Sequence, residues 1–137
     1  MIWTKVSDEL LEILQPYSDW FFKQDLNWLE ELAKNNEKNT DTIENSCSDE
    51  YLKEIVDKDG RHIGYPEISY CYDLRRGGLP GEFQEKYQNL SKELCTWLGA
   101  RNEAVHVYYP KNGFMAWHNN WNAHGYNILL SYTKNGG

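Results

Sequence analysis

Apolar side chains recur at two different spacings along the chain. Up to about residue 99 they return every three or four positions, as on one face of an α-helix, and from Ala104 onward they alternate with polar residues, as in a β-strand. This order predicts an α+β fold in which residues 1–99 are mainly helical and residues 104–137 form strands. The length of 137 residues favours a single domain.

Capping residues predict where the first helices begin and end. Ser7 is placed to cap a helix that runs to about Gln15, and Pro16 is expected to stop it. Asp25 is expected to cap a second helix, and Ser48 is expected to open a further short one.

The clearest helix is predicted over Glu82–Leu98, after a loop rich in glycine and proline, and Gly99 is expected to end it. Its apolar residues have the spacing of a buried stripe. They are Phe83, Tyr87, Leu90, Leu94, Trp97 and Leu98. The polar stretch Lys34–Asp49 is expected to be a mobile surface loop, and Ile63–Asp73 is expected to contain an edge strand.

The last third of the chain predicts three strands. Ala104–Tyr109 and Phe114–His118 flank a turn at Pro110–Gly113, so they are expected to form a tight hairpin that presents His118 at its end. Tyr126–Tyr132 is expected to be the third strand. Three short strands leave a sheet edge open, which predicts the beginning of a β-barrel or sandwich.

Composition narrows the class of protein. The formal net charge of -7 argues against a general affinity for nucleic acid. The three cysteines are far apart and form no C-x-x-C pair, which argues against a thiolate zinc site and fits reduced thiols. No segment has the pattern of a signal peptide or of a membrane span. We therefore expect a soluble cytoplasmic protein that binds neither membranes nor nucleic acid.

His118 and Asn120 are the residues best placed to bind a metal. Side chains two positions apart in a strand point to the same side, so an imidazole nitrogen and an amide oxygen can share one ion. Iron(II) oxygenases use two histidines and a carboxylate in this way. Three other readings stay open: a hydrogen-bonded histidine at a strand end, a turn-forming role for Asn120, and His124 as a substitute ligand.

The segment Val107–Gly113, followed by Trp117, His118 and Asn120, resembles the iron(II)/2-oxoglutarate-dependent dioxygenases. The prolyl-hydroxylase-like branch is the most similar, and small oxygenase-like proteins of phages and marine bacteria also share the pattern. The resemblance implies a double-stranded β-helix, or jelly roll, preceded by helices. It also implies iron(II) and 2-oxoglutarate as cofactors.

Residue by residue, the resemblance assigns roles to five positions. His118 matches the first metal-binding histidine, and Asn120 stands where the family has an aspartate. Tyr109 matches a tyrosine of the 2-oxoglutarate pocket, and Tyr132 or Asn127 would supply a further contact to that co-substrate. A neutral Asn120 is expected to bind iron(II) more weakly than a carboxylate does.

In the family, a second metal histidine and a basic residue for 2-oxoglutarate follow well after this motif. We therefore expect residues 1–137 to be a single incomplete oxygenase-like domain, either a fragment or a split half, with a degenerate relative as the other reading. Alone, it is expected to show little or no turnover. Expected partners are a complementary C-terminal half or a second copy at the open strand edge, and the substrate would be a protein or a small molecule. The alternatives are a non-catalytic binding module or subunit of jelly-roll type, and a small assembly protein.

Overall fold

The computed structural model describes residues 6–59, 66–76, 78–103, 106–118 and 127–134. Within these ranges the chain is a mixture of many helical and few strand residues, which confirms the α+β prediction. The helices are α1 (Asp8–Phe21), α2 (Asn27–Lys34), α3 (Ile43–Ser46), α4 (Asp49–Asp59) and α5 (Gly81–Leu98). The strands are β1 (Ser69–Tyr70), β2 (Tyr72–Asp73), β3 (Val107–Tyr108) and β4 (Phe114–Met115).

Three of the predicted capping residues, Ser7, Ser48 and Gly99, lie at the ends of helices. The Ser7 hydroxyl accepts a hydrogen bond from the Leu10 N–H at 3.2 Å, and the Ser48 hydroxyl accepts one from the Tyr51 N–H at 3.1 Å. Each bond satisfies a backbone donor that the first turn of a helix leaves open. At the other end of α5, Gly99 has a φ of 63°, the left-handed conformation that commonly ends a helix.

Helix α1 is longer than predicted because Pro16 lies inside it and does not stop it. A proline inside a helix lacks the N–H that would bond to the preceding turn, which costs about 3 kcal/mol. Packing beyond it offsets that cost, since Phe21 is buried and its ring lies 6.0 Å from that of Phe83. Local sequence therefore predicts the start of α1 but not its end.

The polar stretch Lys34–Asp49 is not one continuous loop, so that prediction is wrong in part. Helix α3 forms within it, and the Thr42 hydroxyl caps this helix by accepting from the Asn45 N–H at 3.3 Å. Ser46, at the end of α3, is fully buried. The Thr42 cap, together with the Trp117 N–H that donates to the Ser46 carbonyl at 3.3 Å, holds this helix in a segment rich in polar residues.

The strands form two antiparallel pairs, β1 with β4 and β2 with β3. In register, Tyr70 lies opposite Phe114 and Tyr72 lies opposite Tyr108. The predicted tight hairpin is therefore wrong in its pairing: β3 and β4 flank the expected turn, but each pairs with the 69–73 stretch instead of with the other. The 69–73 stretch contains β1 and β2, so it supplies one pairing strand to each of them. It lies within Ile63–Asp73, where an edge strand is predicted.

The predicted third strand is also wrong over its described part. Residues 127–132 have no regular secondary structure, and Leu129 is 81% exposed. Alternating apolar residues form a strand only when a neighbouring strand pairs with them. Among the described residues, no strand pairs with residues 127–132.

The chain divides into two compact units. The helical unit contains the described residues of 1–26, 74–106 and 131–137, and the strand unit contains those of 27–73 and 107–130. None of the helices in the described ranges combines the length and the apolar character that a membrane span requires. The prediction of a single incomplete oxygenase-like domain stays a prediction.

The helical unit is held together by aromatic residues of α1 and α5. The Phe83 ring lies 4.9 Å from the Trp20 ring and 6.0 Å from the Phe21 ring, measured between centroids. Of the predicted α5 stripe, only Phe83 is buried, and Trp97 is 45% exposed. Since a single helix, α1, packs against α5 in the described structure of this unit, much of the stripe stays partly open to solvent.

The strand unit has a core built on α2 and the strands. Leu29 and Ala33 of α2 are fully buried, as is Cys71 between β1 and β2. Phe114 and Ala116 are buried at and just after β4. This core underlies the segment that carries the candidate site.

Candidate functional site

The turn that precedes the candidate site forms as the sequence predicts. The Gly113 N–H donates to the Pro110 carbonyl oxygen at 2.8 Å, which closes the turn. Asn112 has a φ of 62°, in the left-handed region that asparagine tolerates better than most residues. The chain enters β4 directly after this turn, so the turn sets where β4 begins.

The backbone after β4 is tied on both sides. The Ala116 N–H donates to the Ile68 carbonyl at 3.0 Å, and the Trp117 N–H donates to the Ser46 carbonyl at 3.3 Å. The indole N–H of Trp117 donates to the Ser48 carbonyl at 3.1 Å. These bonds link the segment to the region before β1 and to the junction of α3 and α4.

Met115, the residue before Ala116, makes a further contact to the junction of α3 and α4. The Cys47 thiol donates to the Met115 carbonyl at 3.7 Å, a distance suited to a sulfur donor. Ala116 is only 1% exposed, so the peptide groups on either side of it lie at the edge of the core. The segment that leads into His118 is therefore well fixed.

His118 follows this segment and is exposed. Its Nδ1 atom lies 2.8 Å from the Ala116 carbonyl oxygen. A carbonyl oxygen can only accept a hydrogen bond, so Nδ1 must carry the proton and donate it. In the neutral ring, Nε2 then holds a lone pair, which is the form of histidine that binds metals.

Tyr109, the predicted co-substrate residue, lies in the same unit between β3 and the turn. Its side chain is 47% exposed. Partial burial and, to a smaller extent, the neighbouring Cys71 raise the pKa of Tyr109 to about 12. The phenol is therefore neutral at physiological pH and can donate a hydrogen bond to an anion.

The structure does not bring the other predicted site residues together with His118 and Tyr109. Tyr132 belongs to the helical unit, where its hydroxyl donates to Gln15 Oε1 at 2.9 Å and its ring lies 6.0 Å from that of Phe22. Asn127 belongs to the strand unit and is exposed. Asn120, like the alternative ligand His124, lies outside the described residues.

Among the described residues, the potential metal ligands fill one position of an iron(II) site and do not complete the site. No group of three or more histidine, cysteine, aspartate or glutamate side chains converges anywhere in the described ranges. His118 offers one nitrogen with the tautomer that a metal needs. The carbonyls that fix it, those of Ser46, Ser48 and Ala116, have no side-chain signature, so sequence reasoning could not find them.

Comparison with known proteins finds no matching family model, no similar curated protein and no similar solved structure.

We expect the stability of the protein to fall at alkaline pH, in part through Tyr109. Its pKa is about 12 in the folded chain against an ordinary 10.0, so between these values the folded state holds a proton that the unfolded state has lost. The contribution of Tyr109 is full below its ordinary pKa and is lost as pH rises through its folded pKa. Urea unfolding at a series of alkaline pH values measures the decline.

The matched variant is Tyr109→Phe, which keeps the ring and removes the titrating group. The free energy of unfolding of this variant should fall less steeply over the same pH interval. Other tyrosines also contribute: burial, followed by Glu103, raises the pKa of Tyr17, so the decline should be reduced and not abolished. Identical slopes in the two proteins would contradict the assignment.

Proposed function

We propose that this chain belongs to an iron(II)/2-oxoglutarate-dependent oxygenase of the prolyl-hydroxylase-like type, with His118 as a metal ligand through Nε2. The observation that carries the proposal is the 2.8 Å contact between His118 Nδ1 and the Ala116 carbonyl. Metal-binding histidines usually donate their second ring N–H to a carbonyl or carboxylate, which fixes the tautomer and orients the ring. The resemblance of the segment around this histidine supplies the family.

The strand pairing supports the fold that the proposal requires. A jelly roll is built from antiparallel strands, and both described pairs, β1 with β4 and β2 with β3, are antiparallel. We propose that these pairs belong to a double-stranded β-helix. His118 follows β4 after the short segment of Ala116 and Trp117, whose backbone is well fixed.

Each remaining site residue has a proposed task. Asn120 would be a second ligand, and Tyr109 would donate its phenol hydrogen to a carboxylate of 2-oxoglutarate. Tyr132 or Asn127 would add a further contact to that molecule. When bound, iron(II) would activate dioxygen, and this activation would be coupled to the breakdown of 2-oxoglutarate. The substrate that is oxidised would be a protein or a small molecule.

Metal titration of the purified chain tests the proposal. Manganese(II), a stable substitute for iron(II), should bind with micromolar affinity, as measured by calorimetry or by the loss of the free-ion electron paramagnetic resonance signal. His118→Ala should weaken binding by at least about tenfold, because it removes a direct ligand. Lys111→Ala, in the exposed turn before β4, is the control and should leave the affinity unchanged.

Absence of manganese(II) binding in the unmodified chain would overturn the oxygenase proposal. It would favour the second candidate, a non-catalytic binding module of jelly-roll type. The observation that favours this alternative is the exposure of two aromatic side chains, Tyr109 and Trp117, in the strand unit. Exposed aromatic residues are common on surfaces that bind other molecules.

A further inference from the structure

We propose that Trp117 is the positioning residue for His118, through its indole hydrogen bond to the junction of α3 and α4. The inference rests on the proposed function for its biological meaning, because the group that it positions is the proposed metal ligand. The contacts of Trp117 determine which nitrogen of His118 carries the proton, with or without a bound metal.

The geometry begins with the peptide group that joins Ala116 to Trp117. Its N–H, on Trp117, donates to the Ser46 carbonyl at 3.3 Å. The carbonyl of the same peptide group, on Ala116, accepts from His118 Nδ1 at 2.8 Å. Because a peptide group is planar, fixing the direction of its N–H also fixes the direction of its carbonyl.

The indole of Trp117 holds this peptide group in place. Its N–H donates to the Ser48 carbonyl at 3.1 Å, two residues beyond the carbonyl that receives the backbone N–H. One residue thus makes two hydrogen bonds to the same short junction. The backbone bond sets the direction of the peptide group, and the indole bond holds Trp117 where its backbone N–H reaches the Ser46 carbonyl. The Ala116 N–H, bonded to Ile68, limits movement from the other side.

The consequence for His118 is a fixed tautomer. With the Ala116 carbonyl held in place, the proton stays on Nδ1 and the lone pair stays on Nε2. If the carbonyl swings away, the imidazole becomes a mixture of both neutral tautomers, and only part of the population can bind metal through Nε2. Groups that orient a metal-binding histidine in this way typically contribute about 10–100-fold in affinity.

The test uses Trp117→Phe, which keeps an aromatic ring and removes the indole donor. Nitrogen-15 chemical shifts of the His118 ring, recorded at a pH where it is neutral, report the tautomer directly. We expect the unmodified chain to hold the proton on Nδ1 and the variant to show a mixture. The manganese(II) affinity of the variant should fall by about tenfold.

Trp97→Phe is the matched control, because Trp97 is 45% exposed and Trp117 is 44% exposed, while Trp97 lies on α5 in the helical unit. This control should change neither the His118 tautomer nor the affinity. Hydrogen exchange of the unmodified chain gives a second measurement that does not depend on a variant. The amides of Ala116 and Trp117 should exchange more slowly than that of the exposed Lys111.

The outcomes separate this inference from the proposed function. An unchanged tautomer in Trp117→Phe, or amides at positions 116 and 117 that exchange as fast as that of Lys111, would overturn the positioning role. A tautomer shift together with no manganese(II) binding in the unmodified chain would support the positioning role and overturn the oxygenase proposal. A tautomer shift with weakened binding would support both.

Discussion

Replacing Phe83 with alanine is expected to lower the free energy of unfolding of the helical unit by about 3–5 kcal/mol. Phe83 is 8% exposed and its ring contacts those of Trp20 and Phe21. The substitution removes buried apolar surface and leaves a cavity that two bulky neighbours fill poorly. Since small proteins are stable by about 5–15 kcal/mol in total, the loss is a large share. Urea unfolding followed by tryptophan fluorescence measures it.

Trp97→Ala provides the control, because it removes an even larger aromatic side chain from the same helix. Trp97 is 45% exposed, so the expected loss is smaller, about 1–2 kcal/mol. The contrast tests whether burial, and not aromatic size, decides the effect. Equal losses from the two substitutions would show that the Phe83 contacts are not the centre of this unit.

Replacing Gly113 with alanine is expected to destabilise the strand unit by about 1–3 kcal/mol. The added Cβ would lie 2.8 Å from Pro110 Cδ, 2.8 Å from the Tyr70 carbonyl oxygen and 2.9 Å from the Pro110 carbonyl oxygen. All three atoms belong to a proline ring or to the backbone, so none can move away by a side-chain rotation. The chain must instead shift at the start of β4, where Phe114 pairs with Tyr70.

The shift should reach the proposed metal site, because β4 leads into His118. We therefore expect Gly113→Ala to weaken manganese(II) binding as well as to lower stability in urea. Gly81→Ala is the matched control: nothing lies within 4 Å of its added Cβ, and the residue begins α5. It should stabilise the protein by up to about 1 kcal/mol, because alanine favours a helix more than glycine does. A similar loss from both substitutions would rule out the steric explanation.

Features that depend on neighbouring residues could be predicted from the sequence. The caps at Ser7 and Ser48, the left-handed Gly99 and the turn closed by Pro110 and Gly113 all form as expected. Each of them involves side chains or amides within a few positions, so the pattern of residues contains the required information.

Features that depend on distant partners could not be predicted in the same way. Pro16 does not end α1 because residues beyond it are buried by packing, and Ser46 is buried in a stretch that reads as a polar loop. The pairing of β3 with β2, and of β4 with β1, depends on a strand some forty residues earlier in the chain. The tautomer of His118 depends on the direction of one carbonyl, which no residue type reveals.

The interleaved order of the two units has a consequence for dissecting the protein. Unit membership changes after residues 26, 73, 106 and 130, so each unit is assembled from stretches that are distant in sequence. Folding must close long loops before either set of native contacts can form, which slows the process. A deletion from either terminus that extends beyond the first segment removes parts of both units. Isolating either unit therefore requires joining its separated stretches directly, with new linkers in place of the segments that are removed.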